Sequence, residues 1–136
     1  MADLDPLRIC IQDLIALREG KLSEDDYYEW QYPRQLEDGS WTSPYPDYHE
    51  PMERLWTAFA EAGYPPEPAD YVAWMKDYPD PFDPAMIRTL DRSGLAMCLL
   101  AMHRGERFCD GRWAGLLGKG ALLAAAERAV ELGSSD

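Results

Sequence analysis

The sequence predicts a mostly helical protein, a compact bundle of five or six helices with a small β-hairpin lying on it. Three observations support this fold class. Apolar side chains recur at helical spacing in several segments, proline follows a capping residue where helices begin, and an Asp-Gly turn lies between aromatic segments. The 136 residues fit a single domain, covering 1–136, that is long enough to bury a core.

Two helices are predicted in the N-terminal half. The first covers residues 6–19, because Asp5-Pro6 is a cap-and-proline pair and Gly20 ends the pattern. Its apolar stripe consists of Leu7, Ile11, Leu14 and Ile15. The second helix begins at Glu50-Pro51 and ends before Gly63. Its apolar face consists of Met52, Leu55, Trp56 and Phe59.

The remaining helices follow shorter signals. Asp70 caps a short third helix, and Asp83-Pro84 begins another segment that Ser93-Gly94 kinks or breaks before it continues to Gly105. A penultimate helix up to Gly118 has Cys109, Trp113, Leu116 and Leu117 on its apolar stripe. The last helix covers residues 121–132 and turns Leu122, Leu123, Ala126 and Val130 inward.

Two glycines, Gly111 and Gly115, lie inside the predicted penultimate helix. Glycine costs up to about 1 kcal/mol in a helix relative to alanine. We therefore expect a neighbouring helix to approach the backbone closely at these two positions.

The predicted hairpin centres on the turn Asp38-Gly39, because glycine accepts the positive φ that tight turns need. Aromatic residues flank this turn on both sides: Trp30, Tyr32, Trp41 and Tyr45. Nearby prolines limit the strands to short pieces, so the ribbon needs support from the helices.

Charge is distributed unevenly along the chain. The formal net charge is −12, and residues 1–83 contain 19 acids against 6 Lys and Arg, whereas residues 84–136 contain 6 acids against 7. Such a field repels phosphate, which argues against direct binding of nucleic acid, and it attracts basic surfaces. Excess acid is also a common route to a soluble surface, which is the simpler interpretation of this charge.

Three cysteines, Cys10, Cys98 and Cys109, do not form a disulfide framework. Cys98 and His103 are five residues apart on one helix and point in different directions, so we predict no metal site and no cofactor. Cys109 lies on an apolar stripe, which favours a buried thiol over a nucleophile. Without a signal peptide or a membrane-spanning segment in the sequence, we expect a cytoplasmic protein.

Two segments resemble a known family. Asp38-Gly39 followed by residues 44–48 (PYPDY), and residues 104–111 (RGERFCDG), are similar to motifs of DUF6508, an uncharacterised bacterial family. The resemblance covers most of residues 36–132 and implies a small, mostly helical fold without an assigned activity. The acidic segment 23–29 and the proline-rich segment 64–84 depart from the family pattern.

We predict a non-enzymatic module that binds a basic protein surface through acidic and aromatic residues of the N-terminal half. Exposed tyrosine and tryptophan are typical of binding interfaces, and nearby acids select a basic partner. The predicted contact residues are Glu24, Asp25, Asp26, Tyr27, Tyr28, Glu29, Trp30, Tyr45, Asp47 and Tyr48. Alternatively, Trp41, Trp56, Trp74 and Phe59 form the core and the tyrosines only its rim. One form of this hypothesis is a phage-type inhibitor, similar to an anti-CRISPR protein, that occupies a nucleic-acid-binding groove.

The alternative function is a small-ligand-binding protein or an enzyme with a pocket near Arg104 and Arg107. These two residues and Arg112 form a basic cluster that is a candidate anion-binding site. The competing interpretation pairs these arginines internally with Glu106, Asp110 or the acidic half. A third class is a structural subunit, which would expose an apolar stripe on its last helix. The sequence does not fix the oligomeric state.

Overall fold

The fold is a bundle of helices that surrounds the C-terminal helix. The computed structural model describes residues 2–108 and 111–134. Its helices are α1 (Asp5–Arg18), α2 (Glu50–Glu61), α3 (Tyr71–Met75), α4 (Pro84–Ile87), α5 (Arg92–Phe108), α6 (Arg112–Gly118) and α7 (Ala121–Ser134). A 3₁₀ turn (Glu24–Asp26) and two strands, β1 (Tyr28–Gln31) and β2 (Tyr45–Tyr48), lie between α1 and α2. The predicted mostly helical class with a small hairpin is confirmed; α3 and α4 contain only five and four residues.

Helix α7 forms the centre of the core. Residues 121–126 are buried without interruption, and Ala129 is also buried. The helix contacts α1, α4, α5 and α6, and its first six residues are apolar on all sides, as a buried helix segment must be. The predicted single inward stripe was therefore too narrow, because alanines on the other faces also allow neighbouring helices to approach. Val130 is only half-buried.

The predicted helix starts are largely confirmed. The carboxylates of Asp70 and Asp83 accept hydrogen bonds from the backbone N–H groups of Ala73 at 3.0 Å and Ala85 at 3.3 Å. The break expected at Ser93-Gly94 lies slightly earlier, between α4 and α5. Gly94 belongs to the first turn of α5, where its N–H donates to the Asp91 carboxylate at 2.7 Å. Helix α5 continues through Gly105 to Phe108 rather than ending at Gly105.

The prediction for the penultimate helix was wrong at its N-terminus. Helix α6 begins at Arg112, and Gly111 before it has φ 91°, which is left-handed backbone rather than helix. A Cβ at Gly111 would lie 2.8 Å from a ring carbon of Trp30, so a side chain rather than a helix backbone approaches this glycine. Gly115 has open space beside it. Cys109, which the sequence placed on this helix, lies outside the described residues.

The two strands form an antiparallel ribbon, in which Tyr28 pairs with Tyr48 and Gln31 pairs with Tyr45. Residues 32–44 connect the strands and form a tip with its own hydrogen bonds. The Thr42 N–H donates to the Arg34 carbonyl at 2.9 Å, and the Leu36 N–H donates to the Ser40 carbonyl at 2.7 Å. The turn at Asp38-Gly39 is confirmed, with Gly39 at φ 89°, but it lies at this tip rather than directly between the strands. We call residues 28–48 the aromatic arm.

None of the described helices has both the length and the apolar composition needed to cross a membrane.

Leu7 and Ile9 provide a matched test of the core on one helix. Leu7 is fully buried, whereas Ile9 is 56% exposed. We expect Leu7→Ala to lower the free energy of unfolding by about 2–5 kcal/mol, because it leaves a cavity. Ile9→Ala should change it by less than about 0.5 kcal/mol. Urea titrations followed by circular dichroism measure both changes, and similar losses for the two variants would contradict the assigned core.

Candidate functional site

The aromatic arm has two different faces, because side chains alternate along each strand. The face that carries Tyr28, Trp30, Pro46 and Tyr48 lies toward the helices. The opposite face carries Glu29, Gln31, Tyr45 and Asp47. We call these the inner and the outer face.

The inner face is attached to the helices through Tyr48. Its hydroxyl donates a short hydrogen bond to the carboxylate of Glu106 on α5 and accepts one from the Ala114 N–H of α6 at 3.3 Å. The Tyr48 ring lies 5.0 Å from the Trp113 ring, centroid to centroid. Burial, together with the adjacent Glu106 carboxylate, raises the pKa of Tyr48 well above its ordinary value. The phenol is therefore held in its neutral, donating form.

Glu106 joins three elements at one carboxylate. Besides the Tyr48 hydroxyl, it accepts hydrogen bonds from the Gly111 N–H at 2.8 Å and the Trp113 N–H at 3.0 Å. These two N–H groups belong to the start of α6, where backbone donors have no partner within the helix and negative charge is favoured. Glu106 therefore caps α6 from α5. Within the described part of the chain, Glu106 forms no ion pair with Arg104 or Arg112.

The outer face brings two carboxylates together. Glu29 lies directly opposite Asp47 in the strand register, and both are exposed. Like charges at such positions destabilise a hairpin. Among the described residues, no lysine or arginine forms an ion pair with either carboxylate. The pair therefore contributes nothing evident to the stability of the isolated chain.

The arm also carries most of the exposed apolar surface. Of the seven large apolar side chains that are exposed in the described part of the chain, five belong to the arm: Trp30, Tyr32, Leu36, Trp41 and Tyr45. Between residues 32 and 44 only Thr42 is even partly buried. Trp41 is 66% exposed, so its predicted place in the core was wrong, whereas Phe59 is fully buried and Trp56 and Trp74 are half-buried.

The predicted contact residues divide into three groups. Tyr27 is only 3% exposed and belongs to the core, and its burial raises its pKa to about 12, so its predicted place on the surface was wrong. Tyr28 and Tyr48 are half-buried on the inner face. The exposed members are Glu24, Asp25, Asp26, Glu29, Trp30, Tyr45 and Asp47.

The 3₁₀ turn places three of these acids at the base of the arm. Ser23 and Asp26 form a reciprocal cap, in which the Ser23 N–H donates to the Asp26 carboxylate at 2.9 Å and the Asp25 N–H donates to the Ser23 hydroxyl at 3.2 Å. Asp26 is thus needed locally, whereas the carboxylates of Asp25 and Glu24 accept no hydrogen bond from the described residues. Glu24 lies near the end of α6, where a Cβ on Gly118 would be 3.1 Å from its carboxylate oxygen.

The three arginines of the predicted basic cluster do not form one described site. Arg104 lines a groove of about 450 Å³ together with Pro66, His103, Glu106 and Trp113. Arg112 lines a different pocket, where its guanidinium lies 5.4 Å from the centroid of the Phe82 ring. The side chain of Arg107 lies outside the described part of the chain. Within that part, neither Arg104 nor Arg112 forms an ion pair with a carboxylate.

Two aromatic rings of this groove, His103 and Trp113, belong to a cluster that also includes Trp56. The His103 ring lies 5.1 Å from the Trp56 ring and 5.6 Å from the Trp113 ring, centroid to centroid. Burial, with the adjacent charge of Arg104, lowers the pKa of His103, so the imidazole is neutral at pH 7. No local sequence pattern predicts this ring cluster, because its members come from three separate helices, α2, α5 and α6.

The described thiols lack the character of nucleophiles. Cys10 and Cys98 are buried, and burial raises the pKa of both, that of Cys98 to about 12. Cys98 donates a hydrogen bond to the Pro81 carbonyl at 3.4 Å. No group of three or more potential metal ligands occurs among residues 2–108 and 111–134.

A family model identifies the chain. It matches residues 10–135 and describes a family of unknown function, DUF6508. The protein belongs to the DUF6508 family. The match begins before residue 36 and so includes the acidic segment as well. No curated protein and no solved structure matches the chain.

The two segments that carry the resemblance to DUF6508 meet in the structure. Tyr48 belongs to the first segment, and Glu106 and Gly111 belong to the second. Their contact fixes the arm to the start of α6, which gives both segments a structural role in this fold.

Glu106→Gln tests this junction. A glutamine has one acceptor oxygen where the carboxylate has two, so one of the three donors loses its acceptor and the amide N–H₂ meets another donor. We expect the free energy of unfolding to fall by about 1–3 kcal/mol in urea titrations. The control is Glu53→Gln, an exposed position on α2 that should change it by less than about 0.5 kcal/mol. Equal losses of stability in the two variants would contradict the role of Glu106 at this junction.

The raised pKa of Tyr48 predicts a loss of stability in base. A group whose pKa is higher in the folded state stabilises the fold fully below its unfolded pKa, which is about 10 for tyrosine. Stability should therefore fall as the pH rises above about 10. Tyr27 should contribute to the same fall, because its pKa is raised to about 12.

The free energy of unfolding, measured from about pH 8 to about pH 12, checks this expectation. Tyr48→Phe should show a shallower fall than the wild type, because the titrating group is removed. Tyr32→Phe, at an 81% exposed position, should show the same fall of stability with pH as the wild type. If the stability of Tyr48→Phe fell with pH as steeply as that of the wild type, the raised pKa of Tyr48 would be contradicted.

Proposed function

We propose that this DUF6508 protein is a non-enzymatic binding module that uses the aromatic arm to bind a basic surface of another protein. The observation that carries the proposal is the exposure of Trp30, Tyr32, Leu36, Trp41 and Tyr45 on one hydrogen-bonded arm. Tryptophan and tyrosine dominate the binding energy of protein interfaces. An arm that is ordered before binding also loses less conformational entropy when it binds.

The charges of the arm favour a basic partner. Glu29 and Asp47 repel one another across the strands, and a lysine or arginine of a partner placed between them would relieve that repulsion. Asp25 and Glu24 extend the negative surface at the base of the arm. The formal net charge of −12 would also accelerate the encounter with a positively charged protein.

The finer form of the proposal concerns the identity of the partner. A basic groove that normally binds nucleic acid has the charge and the concave shape that an acidic, projecting arm fits. The protein would then act as a small cytoplasmic inhibitor of a nucleic-acid-binding protein, in the manner of a phage-type or anti-CRISPR inhibitor. The acidic charge and small size of the protein support this form of the proposal, and identification of the partner tests it.

Charge-matched variants of the arm provide the test. The first combines Glu24→Gln, Asp25→Asn, Glu29→Gln and Asp47→Asn, and it leaves Asp26 unchanged because that carboxylate caps the 3₁₀ turn. The control combines the same number of neutralised acids at other exposed positions, namely Glu53→Gln, Glu61→Gln, Glu67→Gln and Asp77→Asn. Both variants have the same net charge, so a difference between them reports position rather than total charge.

Affinity capture from host lysate at low and high salt, followed by mass spectrometry, is the measurement. We expect a basic protein that the wild type and the control variant retain and that high salt elutes. The arm variant and Trp41→Ala should each retain it about tenfold less. If both charge variants lose it equally, binding depends on total charge alone, and if neither loses it, the arm is not the binding surface. Either result overturns the proposal.

A further inference from the structure

A second pocket, which shares no lining residue with the Arg104 groove, combines an apolar wall with two cationic side chains. It lies between α3 and α5, beside the start of α6, and has a volume of about 370 Å³, which falls in the range of small-molecule sites. Most of its wall is apolar. The lining residues are Tyr71, Val72, Met75, Lys76, Phe82, Ala101, Gly105 and Arg112. We call this the Arg112 pocket.

The position of Arg112 depends on a glycine inside α5. A Cβ at Gly105 would lie 3.0 Å from Cγ and 3.2 Å from Nε of Arg112, so any larger residue would require this side chain to shift. The stem of Arg112 therefore lies against the α5 backbone, and its guanidinium lies over the Phe82 ring at 5.4 Å. Glycine in the middle of a helix is unfavourable, and here it allows a cation to be held at the wall of an apolar pocket.

No acid of the described chain compensates the positive charge of this pocket. Among the described residues, Arg8, Lys21, Arg54, Arg88, Lys119 and Arg128 each lie beside a carboxylate. Arg112 and Lys76 have no such partner in the same set, and none of the eight lining residues is acidic. Nε of Arg112 is moreover buried without a hydrogen-bond partner. In a chain with a net charge of −12, two cations thus share an apolar cavity whose described lining contains no acid.

We infer that the Arg112 pocket binds a small amphipathic anion, a molecule with an apolar body and one acidic group. The apolar body would lie against Val72, Met75 and Phe82, where its burial is favourable. The acidic group would pair with the guanidinium of Arg112, which recognises carboxylates and phosphates with two parallel hydrogen bonds, and with Lys76 at the exposed edge. The site does not involve the aromatic arm, so it stands or fails independently of the proposed partner surface.

Octanoate is the probe for this pocket, with octan-1-ol as its neutral analogue and octylamine as its cationic analogue. Protein labelled with ¹³C at the methionine methyl groups is titrated with each compound, and the Met75 methyl signal is assigned with Met75→Leu. We expect octanoate to shift the Met75 signal in a saturable manner. Its Kd should be lower than that of octan-1-ol by about tenfold, since only the carboxylate pairs with the cations. Octylamine should not bind measurably.

Three variants test which side chain pairs with the carboxylate of octanoate. Arg112→Met keeps the stem against Gly105 and removes the charge, so it should raise the Kd of octanoate about tenfold and leave that of octan-1-ol unchanged. Lys76→Met should act in the same direction with a smaller effect, because Lys76 is exposed. Arg104→Met is the matched control on α5; it lines the other groove and should leave both Kd values unchanged.

Several outcomes overturn the inference. They are an unmoved Met75 signal, equal affinities for octanoate and octan-1-ol, and an Arg104→Met variant that weakens octanoate as much as Arg112→Met does. The last result would place the anion in the Arg104 groove instead. Circular dichroism of each variant confirms that a lost response does not come from a lost fold.

Discussion

The capping of α6 by Glu106 is the interaction on which the arrangement of the arm depends. One carboxylate, half-buried at the end of α5, accepts hydrogen bonds from the first turn of α6 and from the hydroxyl of Tyr48 on β2. A two-stranded ribbon has too little buried surface to be stable alone. The helices supply the missing support at this point, where a negative charge is favoured by the orphan N–H groups of a helix start.

Because the inner face attaches the arm to the helices, the outer face of the arm does not need to contribute to stability. Alternation along the strands puts Tyr28, Trp30 and Tyr48 against the helices, and it puts Glu29 and Asp47 opposite one another on the outside. Trp30 packs on Gly111, whose lack of a side chain leaves room for the ring. The molecule therefore separates a scaffold, centred on α7, from a display surface that is acidic and aromatic.

The basic residues of the C-terminal half illustrate how a cluster in sequence becomes separate sites in space. Helix α5 has Arg104 on one side and Gly105 about 100° further around its axis. The chain then reverses direction through Gly111, which brings Arg112 back against Gly105 rather than beside Arg104. One arginine consequently lines the groove with the rings of His103 and Trp113, and the other lines the apolar pocket with Phe82.

The sequence by itself determined the helical class, most helix starts and the turn at Asp38-Gly39, because local signals such as caps, prolines and periodic apolar residues fix them. It also indicated which half of the chain is acidic and aromatic. Only the tertiary structure decided that Tyr27 is buried, that Trp41 is exposed, and that Glu106 caps the start of α6. The physical reason is that these outcomes depend on contacts between residues far apart in the chain, such as Tyr48 and Glu106, which no local pattern encodes.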